Sequence, residues 1–219
     1  MTIDRTTSLP EEWGITLETM ENPTTRVPFV EPDNIPQDIY EALEPHYRRS
    51  LDKWGSVPRY FQMLGHSPVI VEAWMLLDAN LRMGYLNSDP EFLKMQQLVI
   101  VKTAIMNHSI NCTGHNVDLA RAVGVTWEQL DLIEGDDWKD SDLFSAKEKA
   151  VLQWAEEVTN QGAYDNDAAF EELKKHFTTR QVVELTFLCC MWNLSGRLTE
   201  ALHLMVEPPG ERIGFGCSI

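Results

Sequence analysis

Ser109, Cys112, His115 and Asn116 put a hydroxyl, a thiol, an imidazole and an amide into one short segment. At about 100° per residue, the four fall within a stripe roughly 120° wide, so a helix through them presents all four to one pocket. A thiol with an imidazole one turn onward can act as nucleophile and acid. The imidazole can instead work alone as general base while Ser109 and Asn116 orient a substrate. Cys112 lies near the expected helix start, where the N-terminal dipole lowers a thiol pKa, so a thiolate–imidazolium pair is an expectation. The competing reading makes Cys112 a small buried hydrophobe and His115 a hydrogen-bonded core or interface residue. His108 shares the side of Cys112 only if the helix is continuous. A turn over 107–110 is expected instead, which leaves His108 a secondary role.

The flanking residues predict how such a segment is held. The apolar run Leu98 to Met106 precedes it and Leu119 to Gly124 follows, so a polar stretch sits between two core-forming helices. Helices are predicted over about 37–49, 58–65 and 68–84, and Asp89-Pro90 opens another that runs to about Asn107. Its stripe of Phe92, Met95, Val99, Lys102 and Met106 is flanked by further apolar residues, as in a central buried helix. Thr126 to Gln129, Ser145 to Glu148 and Thr178 to Gln181 each match a capping box. They start a short helix to about Ile133, a longer one through Val158, and a last one from Thr179 to about Val206, with another over 167–176 before it. No alternating strand pattern is seen. The expected architecture is all-α, with about eight or nine helices in one domain over 37–206. Residues 1–36, with five prolines, form an extended arm over the domain or a neighbouring subunit, and 207–219 form a tail.

The chain has 219 residues, 43% of them hydrophobic and 24% charged, which are globular values for a single core. No apolar stretch reaches membrane-span length and no secretory leader is evident, so a cytoplasmic protein without a membrane partner is expected. The formal charge of −16 argues against nucleic acid and anionic lipid. It also means that an anionic ring substrate would have to be drawn in by a local arginine, Arg82 or Arg197, whereas a neutral one meets less resistance. The cysteines, Cys112, Cys189, Cys190 and Cys217, show neither CxxC nor zinc-ligand spacing, so no disulfide scaffold and no metal are expected. Cys189 and Cys190, adjacent in an apolar helix, point to different faces and read as packing. No Gly-rich phosphate loop, dinucleotide fingerprint or HExxH is present, so no cofactor is implied.

Arg26-Val-Pro-Phe-Val-Glu-Pro, Phe61-Gln-Met-Leu-Gly-His-Ser-Pro68, Gln97-Leu-Val-Ile-Val, Ala120-Arg-Ala-Val-Gly124, Asp142-Leu-Phe-Ser-Ala-Lys-Glu-Lys-Ala, Gln181-Val-Val-Glu-Leu and Asn193-Leu-Ser-Gly-Arg197 follow one another along the chain. Their order and spacing carry a resemblance, from about Arg26 to Glu207, to the carboxymuconolactone decarboxylase family, in the superfamily that includes the alkyl hydroperoxidase D type. It implies an all-helical bundle assembling as a homo-oligomer, a dimer, trimer or hexamer, and a small-molecule substrate. The family's first reactive position falls on Ser109, where many members have Cys, and the second on Cys112. The usual His falls on Asn116, with His115 one residue early, and the usual Glu falls on Gln97. Trp192, Asn193 and Arg197 resemble an aromatic-Asn-x-x-x-Arg pattern of the family. There a buried arginine can pair with a substrate carboxylate, or Arg197 can be tied to Glu184 or Glu200.

These departures bear on chemistry. A disulfide-cycling peroxidase needs a second thiol to resolve its sulfenic acid, and Ser109 cannot supply one. Gln97 and Asn116 likewise break a Glu-Cys-His proton relay. The resemblance therefore implies a cofactor-independent enzyme of the carboxymuconolactone decarboxylase kind, doing acid–base lyase, decarboxylase or isomerase chemistry on an oxidised ring or keto acid. Cys112 and His115 would be catalytic, and Ser109, Asn116, Gln97, Trp192, Asn193 and Arg197 would bind substrate. One alternative is a thiol-dependent antioxidant of the alkyl hydroperoxidase kind, using Cys112 alone with an external thiol or Cys217 as resolver. The other is a non-catalytic oligomeric binding protein.

Overall fold

Thr126, Ser145 and Thr178 start helices as their sequences require. Each hydroxyl accepts from the backbone N–H three residues on, and the side chain of that residue, Gln129, Glu148 or Gln181, returns the bond to the cap. Asp89 and Asn166 cap two more starts through their side-chain oxygens. The computed structural model describes residues 1–31 and 33–212. Among them are ten α-helices: α1 (Leu17–Glu21), α2 (Gln37–Trp54), α3 (Arg59–Leu64), α4 (Pro68–Leu81), α5 (Pro90–Met106), α6 (Ile110–Ala122), α7 (Trp127–Leu132), α8 (Ala146–Thr159), α9 (Asp167–His176) and α10 (Thr179–Ala201).

The all-helical bundle expected from the sequence is present, with α1 as a helix that its proline-rich surroundings concealed. The arm is also less extended than expected. Ile3–Asp4 and Leu9–Pro10 pair as a minimal antiparallel hairpin, β1 and β2. Ile3 and Leu9 are buried, so the arm contributes to the core. The proposed tail from 207 also packs inward: Glu207 and Arg212 are buried polar residues. Cys217 lies outside the described residues.

Helix α5 is the axis of the bundle, buried on every side against α6, α8 and α10. Its apolar run leaves no polar face, so even Lys102 is enclosed, its ammonium 2.7 Å from Glu156 and donating to the Ile133 and Glu134 carbonyls. Burial pushes this amine down, and the Glu156 carboxylate opposes that shift. Helices α5 and α6 meet at a corner over 107–109, where His108 takes a left-handed φ of 51°. Gly196 on α10 allows that corner to approach. A Cβ there would stand 3.0 Å from the Asn107 Cβ and 3.5 Å from that of Ser109.

Candidate active site

Ser109 is the N-cap of α6, its Oγ accepting from the Cys112 N–H at 3.3 Å and lying 2.8 Å from Thr199 Oγ1 on α10. This fixes the first turn of α6 so that Asn111, Cys112, His115 and Asn116 line one pocket of about 90 Å³. The aromatic wall is supplied from elsewhere: Trp54 ends α2, Tyr60 and Phe61 lie on α3, Trp74 on α4 and Trp192 on α10. Trp74 packs against both Tyr60 and Trp192, with ring centroids 5.2 and 5.9 Å apart.

Cys112 is buried, and its Sγ lies 3.2 Å from Ser195 Oγ, which in turn donates to the Tyr60 hydroxyl at 3.3 Å. Burial pushes the Cys112 thiol up, and hydrogen bonding to Ser109, Ser195 and Thr199 only partly offsets this. The lowering expected from the helix dipole is therefore overruled by desolvation. Burial likewise holds the Tyr60 phenol far above its ordinary range.

His115 is paired, but not with the thiol. Its Nε2 lies 2.9 Å from Glu207 Oε2. The other oxygen of Glu207 accepts from the Arg59 N–H at 2.5 Å. Burial alone would raise the Glu207 carboxyl, but the charge and hydrogen bond of His115, with the Arg59 N–H, hold it down at about 2. Glu207 is itself fixed from behind, since Arg212 Nε donates to its carbonyl at 2.7 Å. The same guanidinium reaches the carbonyls of Thr7 and Gly114 and the Asp118 carboxylate. Gly114 permits this approach, because a Cβ there would stand 3.2 Å from Arg212 Cζ and 3.0 Å from a Val206 methyl.

Asn116 is held at both ends of its amide. Its Nδ2 donates to the Cys112 carbonyl and its Oδ1 accepts from Arg82 Nη1 at 2.9 Å. Arg82 is further bound by Asp78, with Nε to Oδ1 at 2.8 Å and Nη2 to Oδ2 at 3.0 Å, and its Cζ sits 5.0 Å from the Trp192 ring centroid.

Of the residues singled out from sequence, Cys112, His115, Asn116 and Trp192 share the pocket wall, while Ser109, Gln97, Asn193 and Arg197 lie off it. Ser109 supports Cys112 from behind. Gln97 is fully buried in α5, and its side-chain amide has no hydrogen-bond partner among the described residues. Asn193 ties α10 to α5 and α8 through Asn107 and Thr159. Arg197 is exposed and bonds to Asn193 rather than to Glu184 or Glu200. His108 faces Trp13 of the arm, with ring centroids 5.7 Å apart. Cys189 is buried and Cys190 exposed, as their adjacency required, and neither lines the pocket.

Several wall residues escaped the sequence reading. Asp78 stands one helical turn before Arg82, which the sequence had offered as a substrate attractor, and Ser195 follows Trp192 by one turn, so both spacings were visible. Nothing local marks the wall residues Tyr60 and Asn111, or Glu207 behind His115.

No family model matches the chain. A curated relative, the protein YnjA of Escherichia coli (strain K12), is 35% identical over 71 residues, covering 32% of this chain and 39% of that protein. The matched stretch thus spans well under half of the relative's own length. Among solved structures, the chain is similar to a peroxidase-related protein from Ralstonia eutropha JMP134 described as an alkylhydroperoxidase AhpD core. That match has a TM-score of 0.63 at 22% identity and covers 89% of this chain and 94% of that one. It is also similar to the debrominase Bmp8 in complex with 2,3,4-tribromopyrrole, with a TM-score of 0.63 at 16% identity over 80% of this chain and 90% of that one. The chain therefore shares the all-helical fold of these solved structures, the alkylhydroperoxidase AhpD core among them.

Proposed function

We propose that this protein is a cofactor-independent enzyme catalysing proton transfer, of the isomerase or lyase kind, on a small oxidised ring compound. His115, oriented by Glu207, serves as general base and acid. The neutral Cys112 thiol serves as a second acid or as the nucleophile. The observation that carries this reading is the shared pocket: a thiol and a carboxylate-anchored imidazole open on one space walled by aromatic rings. A carboxylate on one imidazole nitrogen fixes which nitrogen faces the substrate and stabilises the ring when it takes up a proton. Bmp8, of similar fold, is described with a flat ring bound, a ligand shape that the aromatic wall here would also suit.

The thiol-antioxidant reading has less support. Burial holds the Cys112 thiol protonated, and no second described cysteine lines the pocket to resolve a sulfenic acid. The test is hydrogen–deuterium exchange beside the carbonyl across a panel of lactones and cyclic ketones, followed by assay for isomerised or cleaved product. His115→Gln is expected to slow exchange on the order of 10²-fold or more, and Glu207→Gln by a smaller factor. Exchange that proceeds equally well in His115→Gln and Cys112→Ala would overturn the proposal.

A further inference from the structure

Arg82 is the cation that the sequence offered as the attractor for an acidic substrate, and the fold withholds it from that role. The Asp78 carboxylate accepts from its Nη2 and lies 2.8 Å from its Nε as an ion pair, and Asn116 takes its Nη1. Both charged side chains are largely enclosed, at 14% and 13% exposure, so their mutual neutralisation is weakly screened. The second basic group on the wall, His115, has its own carboxylate in Glu207. Among the described wall residues, no cation is left without an anion beside it. A carboxylate entering this space would give up its water and meet Asp78 as well as Arg82.

Besides Arg82 Nε and Asp78 Oδ1, which face each other at 2.8 Å without hydrogen-bond geometry, the wall leaves an uncharged donor unsatisfied. Asn111 is buried on α6 and lines the pocket, and its amide Nδ2 has no hydrogen-bond partner among the described residues. A buried donor of that kind is satisfied by a ligand oxygen at little expense, and leaving it unpaired is unfavourable. The volume of about 90 Å³ falls below the roughly 150 Å³ of an engineered apolar cavity that takes benzene. That limits the occupant to a single ring.

Resting on the proton-transfer reading of the same pocket, we infer that its ligand is an uncharged, flat, single-ring compound bearing one oxygen acceptor. The Asp78–Arg82 pair excludes ring carboxylates, and Asn111 receives the oxygen. Asp78 is thus a specificity-determining residue that acts by cancelling Arg82.

Benzyl alcohol and benzoate, nearly equal in shape and different in charge, are suitable probes. Their binding to the full chain at pH 7 can be followed by calorimetry and by the fluorescence of Trp54, Trp74 and Trp192. Benzyl alcohol is expected to bind at least tenfold more tightly than benzoate. Asp78→Asn, which frees the guanidinium charge, should raise benzoate affinity at least tenfold with little change for the alcohol. Adding Arg82→Gln to that variant should restore the original preference. Asn111→Leu should weaken the alcohol severalfold and leave benzoate no better bound. Equal or tighter binding of benzoate by the unmodified protein overturns the inference, whether or not the variants fold, and so does an absence of saturable binding by either ring. An unchanged ratio in a folded Asp78→Asn variant overturns the role of Asp78. Because binding is read without turnover, a ring preference that holds while exchange chemistry fails would count against the proposed reaction and not against this ligand class.

Discussion

At the scale of single residues, the side chain most worth perturbing is Glu207. Its carboxyl lies well below the usual range, at about 2 against an ordinary 4.5. A depressed carboxyl contributes stability that is fully present above its unfolded pKa and is lost as pH falls through the folded value. The contribution is on the order of 3 kcal/mol and should disappear between about pH 4.5 and pH 2. Denaturant unfolding of the unmodified protein and of Glu207→Gln should therefore show a stability gap that narrows as the medium is acidified from about pH 4.5 towards pH 2. A gap of constant size over that interval would mean that the carboxylate gains nothing from its partners. The residue scale is also where the sequence was most and least informative. Cys112, His115 and Asn116 were legible because one helix fixes their relative directions. Glu207 was not, because it reaches His115 across 92 positions of sequence through tertiary packing alone. The sign of the Cys112 shift was also misjudged, since the helix dipole is a local feature visible in sequence while burial is not.

At the scale of elements, Ser109 illustrates how a residue of the reactive stripe can be structural. It caps α6 and joins it to Thr199 of α10, and it does not reach the pocket. Ser109→Ala should lower stability by about 1–2 kcal/mol through loss of the cap and leave Thr199 with one fewer partner. Affinity for a ring ligand should change little. Thermal unfolding and ligand titration on the same samples check both halves, and a variant of undiminished stability that no longer binds would return Ser109 to the substrate. Helix starts were readable wherever a hydroxyl and a Gln or Glu three residues on form a capping box. The ends were less so: α2 continues past the expected 49 to Trp54, through Pro45, until Gly55 takes the left-handed cap that stops it. The hairpin of the arm was illegible because two residues per strand are too few for an alternation to register.

At the scale of the whole molecule, the charge of −16 sets up repulsion that the bundle must withstand. Raising NaCl from about 0.02 M to about 0.3 M should raise the unfolding temperature, because screening weakens repulsion between exposed carboxylates more than it weakens the enclosed pairs Lys102–Glu156 and Arg82–Asp78. Calorimetry at constant pH checks this, and a falling temperature would show that exposed attractive pairs dominate instead. The bundle class was legible from helical periodicity and from the absence of alternation. The packing of residues 202–212 back onto α6 was not, since that stretch carries no periodic pattern.

That returning stretch separates two properties that most helical pockets combine. The imidazole rides on a bundle helix, but the carboxylate that aims it is carried on an irregular strap latched by Arg212 to the Thr7 and Gly114 carbonyls. The acid–base pair can thus be uncoupled by loosening a peripheral fastening, with the central scaffold still standing. Substitutions at Gly114 or Arg212, neither of which lines the cavity, fall among those able to retune its reactivity from a distance.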